Sequence, residues 1–195
     1  MGPDVFDINR AWLDYLVRLA LARDYAIGYR LDGHTALPCP PLEDALPALE
    51  YIKMAAILDD ALEQHLTTKG PDLPKGYRPT LGGRIRFFAD RDLLPPDRDV
   101  RPIGHRRNRL AHEPASTVDW ATLDADIDTV HAVLEHLGYV GVRPVLKVRG
   151  ERSHAYDENE PGVLFRQDYS VRVEDETGVV GRYGWTTTIC DDEVS

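Results

Sequence analysis

Apolar residues recur every three to four positions through the first 138 residues and every second position beyond them. From about Asp4 to Tyr29, the residues Ile8, Trp12, Leu16, Leu19 and Arg23 share one stripe, which predicts a long amphipathic helix. Pro38, Pro40 and Pro41 interrupt the pattern. It resumes from Leu46 to Leu66 through Leu49, Ile52, Ala56, Asp59 and Leu62, and Gly70 with Pro71 closes this second helix. Three prolines and two glycines within residues 70–79 read as a loop. Thr80 then caps a short third helix reaching about Asp90, with Ile85, Phe87 and Phe88 as its apolar residues. The pair Pro95-Pro96 ends that unit. Asp97 or Asp99 caps a fourth helix extending to Glu113, in which Pro102 is tolerated only in the first turn. Pro114 stops it. Ser116 or Thr117 caps a fifth helix, whose Trp120, Leu123, Ile127, Val130, Leu134 and Leu137 run to Gly138.

Short connections favour antiparallel neighbours, so residues 1–138 are expected to form a four-to-five helix antiparallel bundle. After Gly141 the period falls to two over Pro144–Val148, Val163–Val173 and Val179–Ile189. The intervening residues 159–162 and 174–178 are rich in turn formers. The fold class is therefore mostly α, with residues 139–195 as a C-terminal three-stranded antiparallel β appendage. Three strands hold together only with one face packed on something, either the helices or a second subunit.

Composition narrows the function classes. The 195 residues are 43% hydrophobic, enough for an ordinary core. Cys39 and Cys190 lie far apart with no partner at metal-ligand spacing, so neither a disulfide framework, a zinc site nor any other metal or cofactor is signalled. The first nine residues carry Asp4 and Asp7 where a secretory signal needs basic residues, and no apolar run reaches the roughly 18 residues of a membrane span. A cytoplasmic protein without a membrane partner is expected. The net charge of −10 would repel a polyanion if it were evenly spread. Residues 84–109, however, hold eight arginines against four aspartates, a local balance of +4. That stretch reads either as a focused phosphate site or as arginines paired with the aspartates beside them.

Within it lies Gly104-His105-Arg106-Arg107-Asn108-Arg109-Leu110-Ala111-His112-Glu113. This run resembles the R-N-x-x-x-H signature of the HEPN superfamily, the higher eukaryotes and prokaryotes nucleotide-binding domains. The agreement in helix order and length covers roughly residues 4 to 138, and the strand region falls outside it. The resemblance implies a HEPN-like bundle and a metal-independent endoribonuclease of the toxin or phage-defence type. By the same resemblance it is expected to act as a homodimer, with Arg107, Asn108 and His112 of both chains facing one cleft. The chemistry is sound on physical grounds. Attack by the ribose 2′-hydroxyl on its own phosphodiester needs a group that exchanges a proton near neutrality, as His112 does, and a fixed cation for the phosphorane charge, as Arg107 is. Asn108 would orient the imidazole or a phosphate oxygen. His105, Arg109 and Arg101 are the candidate RNA-binding residues. Some members of the superfamily carry a Tyr two residues after the His, which a partner nucleotidyltransferase modifies. Here that position is Pro114, which argues against that mode of antitoxin control but leaves an antitoxin or other protein partner open.

Helix geometry sets competing readings beside these. At about 100° per residue, Arg107 and His112 stand roughly 140° apart around the helix axis. His105, Asn108, Arg109 and His112 form one stripe with Arg101 at its edge, whereas Arg107 falls with Val100, Ile103, Leu110 and Ala111 on the apolar side. Arg107 is thus either catalytic or a buried structural arginine paired with Asp59, Asp60 or Glu50 of the second helix. In the second case Arg109 becomes the phosphate-facing cation. His112 has its own bland reading, a helix-end histidine complementing the C-terminal dipole. His105 is a second proton-transfer group or a solvated neighbour. In the strands, Phe165, Tyr169, Tyr183 and Trp185 either stack on bases or fill a packed face, and nearby Asp168, Glu174, Asp175 and Glu176 oppose a phosphate backbone. The functional alternative is a non-catalytic HEPN module for nucleotide sensing or protein binding, which the acidic net charge favours.

Overall fold

A computed structural model describes the backbone of residues 5–31, 40–70, 72–155 and 163–190, and the side chains of residues 7–23, 45–70, 72–149 and 172–182. Among these, five helices precede three strands: α1 (Val5–Leu31), α2 (Pro40–Lys69), α3 (Leu81–Ala89), α4 (Arg101–His112), α5 (Trp120–His136), β1 (Lys147–Ala155), β2 (Val163–Asp175) and β3 (Gly178–Cys190). The chain is mostly helical, with one small antiparallel sheet. Cys39, Pro38, Pro71 and the turn at 159–162 lie outside the described residues, as do the side chains of Phe165, Tyr169, Tyr183, Trp185 and Cys190.

Helix ends follow local chemistry, with some shifts from the sequence reading. Thr80 caps α3 as expected, its hydroxyl accepting the Gly83 N–H at 3.2 Å. The cap of α5 is Asp119, whose carboxylate accepts the Thr122 N–H at 2.7 Å. The expected Ser116 instead bonds Glu113 at 3.0 Å. Gly138, at φ +80, supplies the left-handed residue just past α5. Prolines do not delay α2 to Leu46: it opens at Pro40 and carries Pro47 inside. A proline in the first helical turn gives up only an N–H that has no intrahelical partner, so Pro40 and Pro41 start this helix rather than interrupt it.

Contacts divide the chain into two compact units. In the first, Met1–Leu16 with Tyr29–Arg143, the predicted stripes of α1 (Ile8, Trp12, Leu16) and α5 (Leu123, Ile127, Leu134) are buried. On α2 the buried face is turned from the expected one: Leu62 and Leu66 are buried, but Leu49, Ile52 and Ala56 are exposed, and Tyr51, Met54 and Leu58 fill the core instead. Each such side chain contributes about 1.5–3 kcal/mol on leaving water. Helix α2 contacts α3, α4 and α5, and α3 contacts α4. A polar tie joins α1 to α5, where the Trp12 Nε1–H donates to His131 Nδ1 at 2.9 Å. Helix α4 faces α3 at Gly104. A Cβ on Gly104 would stand 3.4 Å from the Ile85 Cδ1 and 3.6 Å from the Gly82 Cα.

The second unit comprises Val17–Gly28 and Pro144–Ser195. Its sheet has the order β1-β2-β3 with antiparallel neighbours, Lys147 opposite Glu174 and Asp175 opposite Gly178. Two of the three expected strands fall where alternation places them. The first does not: β1 covers Lys147–Ala155 rather than Pro144–Val148. Its residues Arg149 to His154 lack an apolar alternation, so pairing with β2 rather than patterning defines this strand. Between β2 and β3, Asp175 Oδ1 accepts the Thr177 N–H at 2.7 Å and the Gly178 N–H at 3.1 Å, closing a turn of Glu176 and Thr177.

No helix among the described residues is long and apolar enough to cross a membrane.

Candidate functional site on helix α4

Helix α4 carries every residue singled out by the motif. It begins at Arg101, preceded by Val100 without a side-chain cap, and Pro102 lies in its first turn. Neither expected aspartate occupies the cap position. Asp99 still supports the helix start, accepting the Arg101 backbone N–H at 3.2 Å and its Nε–H at 2.9 Å. At the other end the Glu113 N–H donates to the Arg109 carbonyl at 2.7 Å.

Burial divides α4 into two halves and two faces. Ile103 and Gly104 are buried, while Pro102, Arg106, Arg107 and Leu110 are half-buried. His105, Asn108, Arg109 and His112 are exposed along one stripe with Arg101, the arrangement that helical periodicity gives. Ala111, expected on the apolar side, is also exposed. No side chain from His105 to His112 is fully buried, so the half that bears the motif has little apolar anchorage.

The structural arginines differ from the one the sequence suggested. Asp59 is taken by Arg84 of α3, whose Nη1 stands 2.6 Å from it and whose Nη2 stands 2.8 Å from Glu63. Glu50 pairs with Lys53 at 2.7 Å. Asp60, exposed but partly desolvated and beside Asp59 and Glu63, has its pKa raised from the ordinary value. Within the motif, the arginine that binds a carboxylate of another helix is Arg106. Its Nη1 donates to Asp126 Oδ2 of α5, and the same oxygen accepts the Tyr51 hydroxyl of α2 at 2.6 Å. Burial works against the charge of Arg106, but the bonds to Asp126 and Tyr51 hold its pKa above the ordinary value. Burial and the adjoining Asp126 carboxylate together push the Tyr51 phenol far above its usual range.

Arg107 is different. Its one hydrogen bond among the described residues is a long one, from Nη1 to Asn108 Oδ1 at 3.4 Å, and among them no carboxylate pairs with it. Every other arginine of α4 has an acidic partner: Arg101 with Asp99, Arg106 with Asp126, and Arg109 with Glu113 at 3.4 Å. Arg86 and Arg98 likewise pair with Asp90 and Asp97, and Arg91 lies 3.8 Å above the Phe87 ring. Most of the local excess of arginine is therefore compensated. These exposed pairs are weak, however, and a competing phosphate can displace them.

An open cleft of about 220 Å³ adjoins the helix, lined by Arg106, Arg109, Ser116, Thr117, Asp119 and Thr122 among others. Its two guanidinium groups already face Asp126 and Glu113, and Asp119 adds a further acid. Acids outnumber the guanidinium groups around that cleft, and the uncompensated cation of α4 is Arg107. Among the described residues, no group of three or more His, Cys, Asp or Glu side chains is placed to hold a metal ion.

Arg106, Tyr51, Asp126 and Arg84 were not singled out in the sequence. The only signal available was the position of Arg106 beside Ile103 and Leu110 on the helix. Comparison with family models, with curated proteins and with solved structures returns no match.

Proposed function

We propose that this chain is a metal-independent endoribonuclease of the toxin or phage-defence type, built on a HEPN-like antiparallel helical bundle and acting in the cytoplasm as a homodimer. The observation that carries the proposal is the state of Arg107: a half-buried residue whose guanidinium reaches Asn108 and no carboxylate, on a helix whose other arginines are all paired. An uncompensated, laterally supported cation is what a phosphorane intermediate needs. Exposed His112 accepts the 2′-hydroxyl proton as the 2′-oxygen bonds to phosphorus. The P–O5′ bond then breaks, and an imidazolium returns a proton to the departing 5′-oxygen. The products are a 2′,3′-cyclic phosphate and a free 5′-hydroxyl. Asn108 orients the Arg107 guanidinium, and Arg101, His105 and Arg109 hold the flanking RNA backbone.

The helix geometry supports a dimer in this reading. Arg107 and His112 of one helix stand roughly 140° apart about its axis and cannot converge on one phosphate unaided. A second copy, placed so that its His112 faces the Arg107 of the first, supplies the missing side of the cleft. Induced expression tests the proposal: growth should arrest, and His112→Ala should relieve the arrest at equal protein level. Unimpaired growth with intact transcripts would rule against the nuclease. That outcome would support the second reading, a nucleotide-sensing or protein-binding module with or without an antitoxin, which the net charge of −10 favours.

A further inference from the structure

The residue between His105 and Arg107 holds the key to how α4 is presented. The first half of the helix is fixed by packing, with Ile103 and Gly104 buried and Gly104 facing Ile85 and Gly82 of α3. The second half, from His105 onward, offers no fully buried side chain, and Leu110 is its half-buried apolar contact. What reaches out of this half into the core is Arg106. Its guanidinium donates to Asp126 Oδ2, and that oxygen simultaneously accepts the hydroxyl of Tyr51, which is completely buried. One carboxylate oxygen thus joins α2, α4 and α5. The Asp126 side chain is 12% exposed and that of Arg106 37%, so the bond is partly shielded from water and from competing ions.

We infer that Arg106, through Asp126 and Tyr51, is a positioning residue for the α4 site: it fixes the azimuth of the motif-bearing half of the helix and thereby the direction of Arg107 and His112. The inference rests on the nuclease reading for its effect on catalysis, but its effect on geometry does not need that reading. The physical reason is directional. Apolar contacts are non-directional and tolerate rotation of a helix about its axis, whereas a charged guanidinium–carboxylate hydrogen bond has a preferred distance and angle that resists it. Arg106 and Arg107 flank the buried Ile103 line on opposite sides, by about 60° and 40° at 100° per residue. Anchoring the first arginine therefore turns the second away from the carboxylates of the core. The same bond consumes the positive charge of Arg106 and leaves Arg107 as the uncompensated cation. Arg106 itself touches no reacting atom in this account.

Three full-length variants test it: Arg106→Gln, Arg106→Lys and Asp126→Asn. Each is checked for its thermal transition and oligomeric state, then assayed for kcat and KM on a short RNA and for the imidazole NMR signals of His105 and His112. Arg106→Gln should remain folded and of unchanged oligomeric state, with kcat lowered about 100-fold, since a misplacement of about 1 Å costs that much. Its KM should stay within about threefold, because binding of the ground state is little affected. The His112 signals should shift, and Arg106→Lys should restore most of kcat and of the shift. Asp126→Asn should reproduce the loss. If Arg106→Gln does not fold, the other two variants carry the same comparison. Wild-type kcat with unshifted His112 signals in any folded Arg106→Gln or Asp126→Asn protein would overturn the inference. So would a loss of folding in all three, which would make the pair a determinant of fold alone. A wild-type protein that leaves RNA intact while Arg106→Gln still shifts the His112 signals would remove the nuclease and leave the positioning role in place.

Discussion

Arg84 Nη1 stands 2.6 Å from Asp59 Oδ1, so the carboxylate of α2 that could have buried Arg107 is engaged by a different helix. The Arg84 side chain is 6% exposed and grips Glu63 as well. Removing it strands an acidic pair beside Asp60, whose pKa is already raised by partial desolvation and by Asp59 and Glu63. Arg84→Ala should therefore cost about 2–3 kcal/mol in urea unfolding, somewhat less than for a fully buried pair because Glu63 keeps contact with water. Arg107→Ala should cost less than about 1 kcal/mol, having no carboxylate to strand. The reverse order of the two losses would restore Arg107 to a structural role.

Two adjacent glycines at the start of α3 should respond in opposite directions. A Cβ on Gly83 would stand 2.1 Å from the Arg78 carbonyl oxygen, a backbone atom that cannot swing away, whereas a Cβ on Gly82 meets nothing within 4 Å. Gly82→Ala should stabilise by up to about 1 kcal/mol through helix propensity. In Gly83→Ala the clash outweighs that gain, and the melting temperature should fall. Equal behaviour of the two variants in a thermal melt would contradict the close approach of the α3 start to the preceding loop.

His131 ties stability to pH. Its Nδ1 accepts the Trp12 Nε1–H at 2.9 Å, so the neutral ring carries its proton on Nε2. Burial, then the nearby Arg143, holds its pKa below the ordinary value of 6.5. A folded-state value below the unfolded one means that the unfolded chain takes up the proton first. The contribution is complete above the unfolded value and is lost as pH falls through it. His65, lowered by burial and by Lys69 and His136, acts in the same direction. The melting temperature should fall between about pH 7.5 and about pH 5.5, and His131→Gln should flatten that slope. An undiminished slope in the variant would assign the dependence elsewhere.

Much of the helical architecture was legible because burial imposes a period. The stripe of Leu123, Ile127, Val130 and Leu134 on α5 is buried throughout, as its spacing requires. Thr80 was readable as a cap because a short apolar helix follows it directly. The cap of α5 was missed because Ser116, Thr117 and Asp119 are all good caps, and tertiary packing chooses among them. The strand β1 was misplaced because its polar residues carry no alternation. On α4, periodicity correctly grouped His105, Asn108, Arg109 and His112 as exposed. It could not separate Arg106 from Arg107. Both border the buried line of Ile103, and which one finds a carboxylate depends on Asp126, twenty residues away on another helix.

The central claim is that Arg107 and His112 act together on RNA. Its most direct test is the cleavage of a defined single-stranded RNA by purified wild-type protein in excess EDTA, with analysis of the new ends, beside folded Arg107→Ala and His112→Ala. The account predicts 2′,3′-cyclic phosphate and 5′-hydroxyl ends from the wild type, and a loss of at least about 100-fold in each variant. Intact RNA with the wild type, or undiminished cleavage by either folded variant, would contradict it.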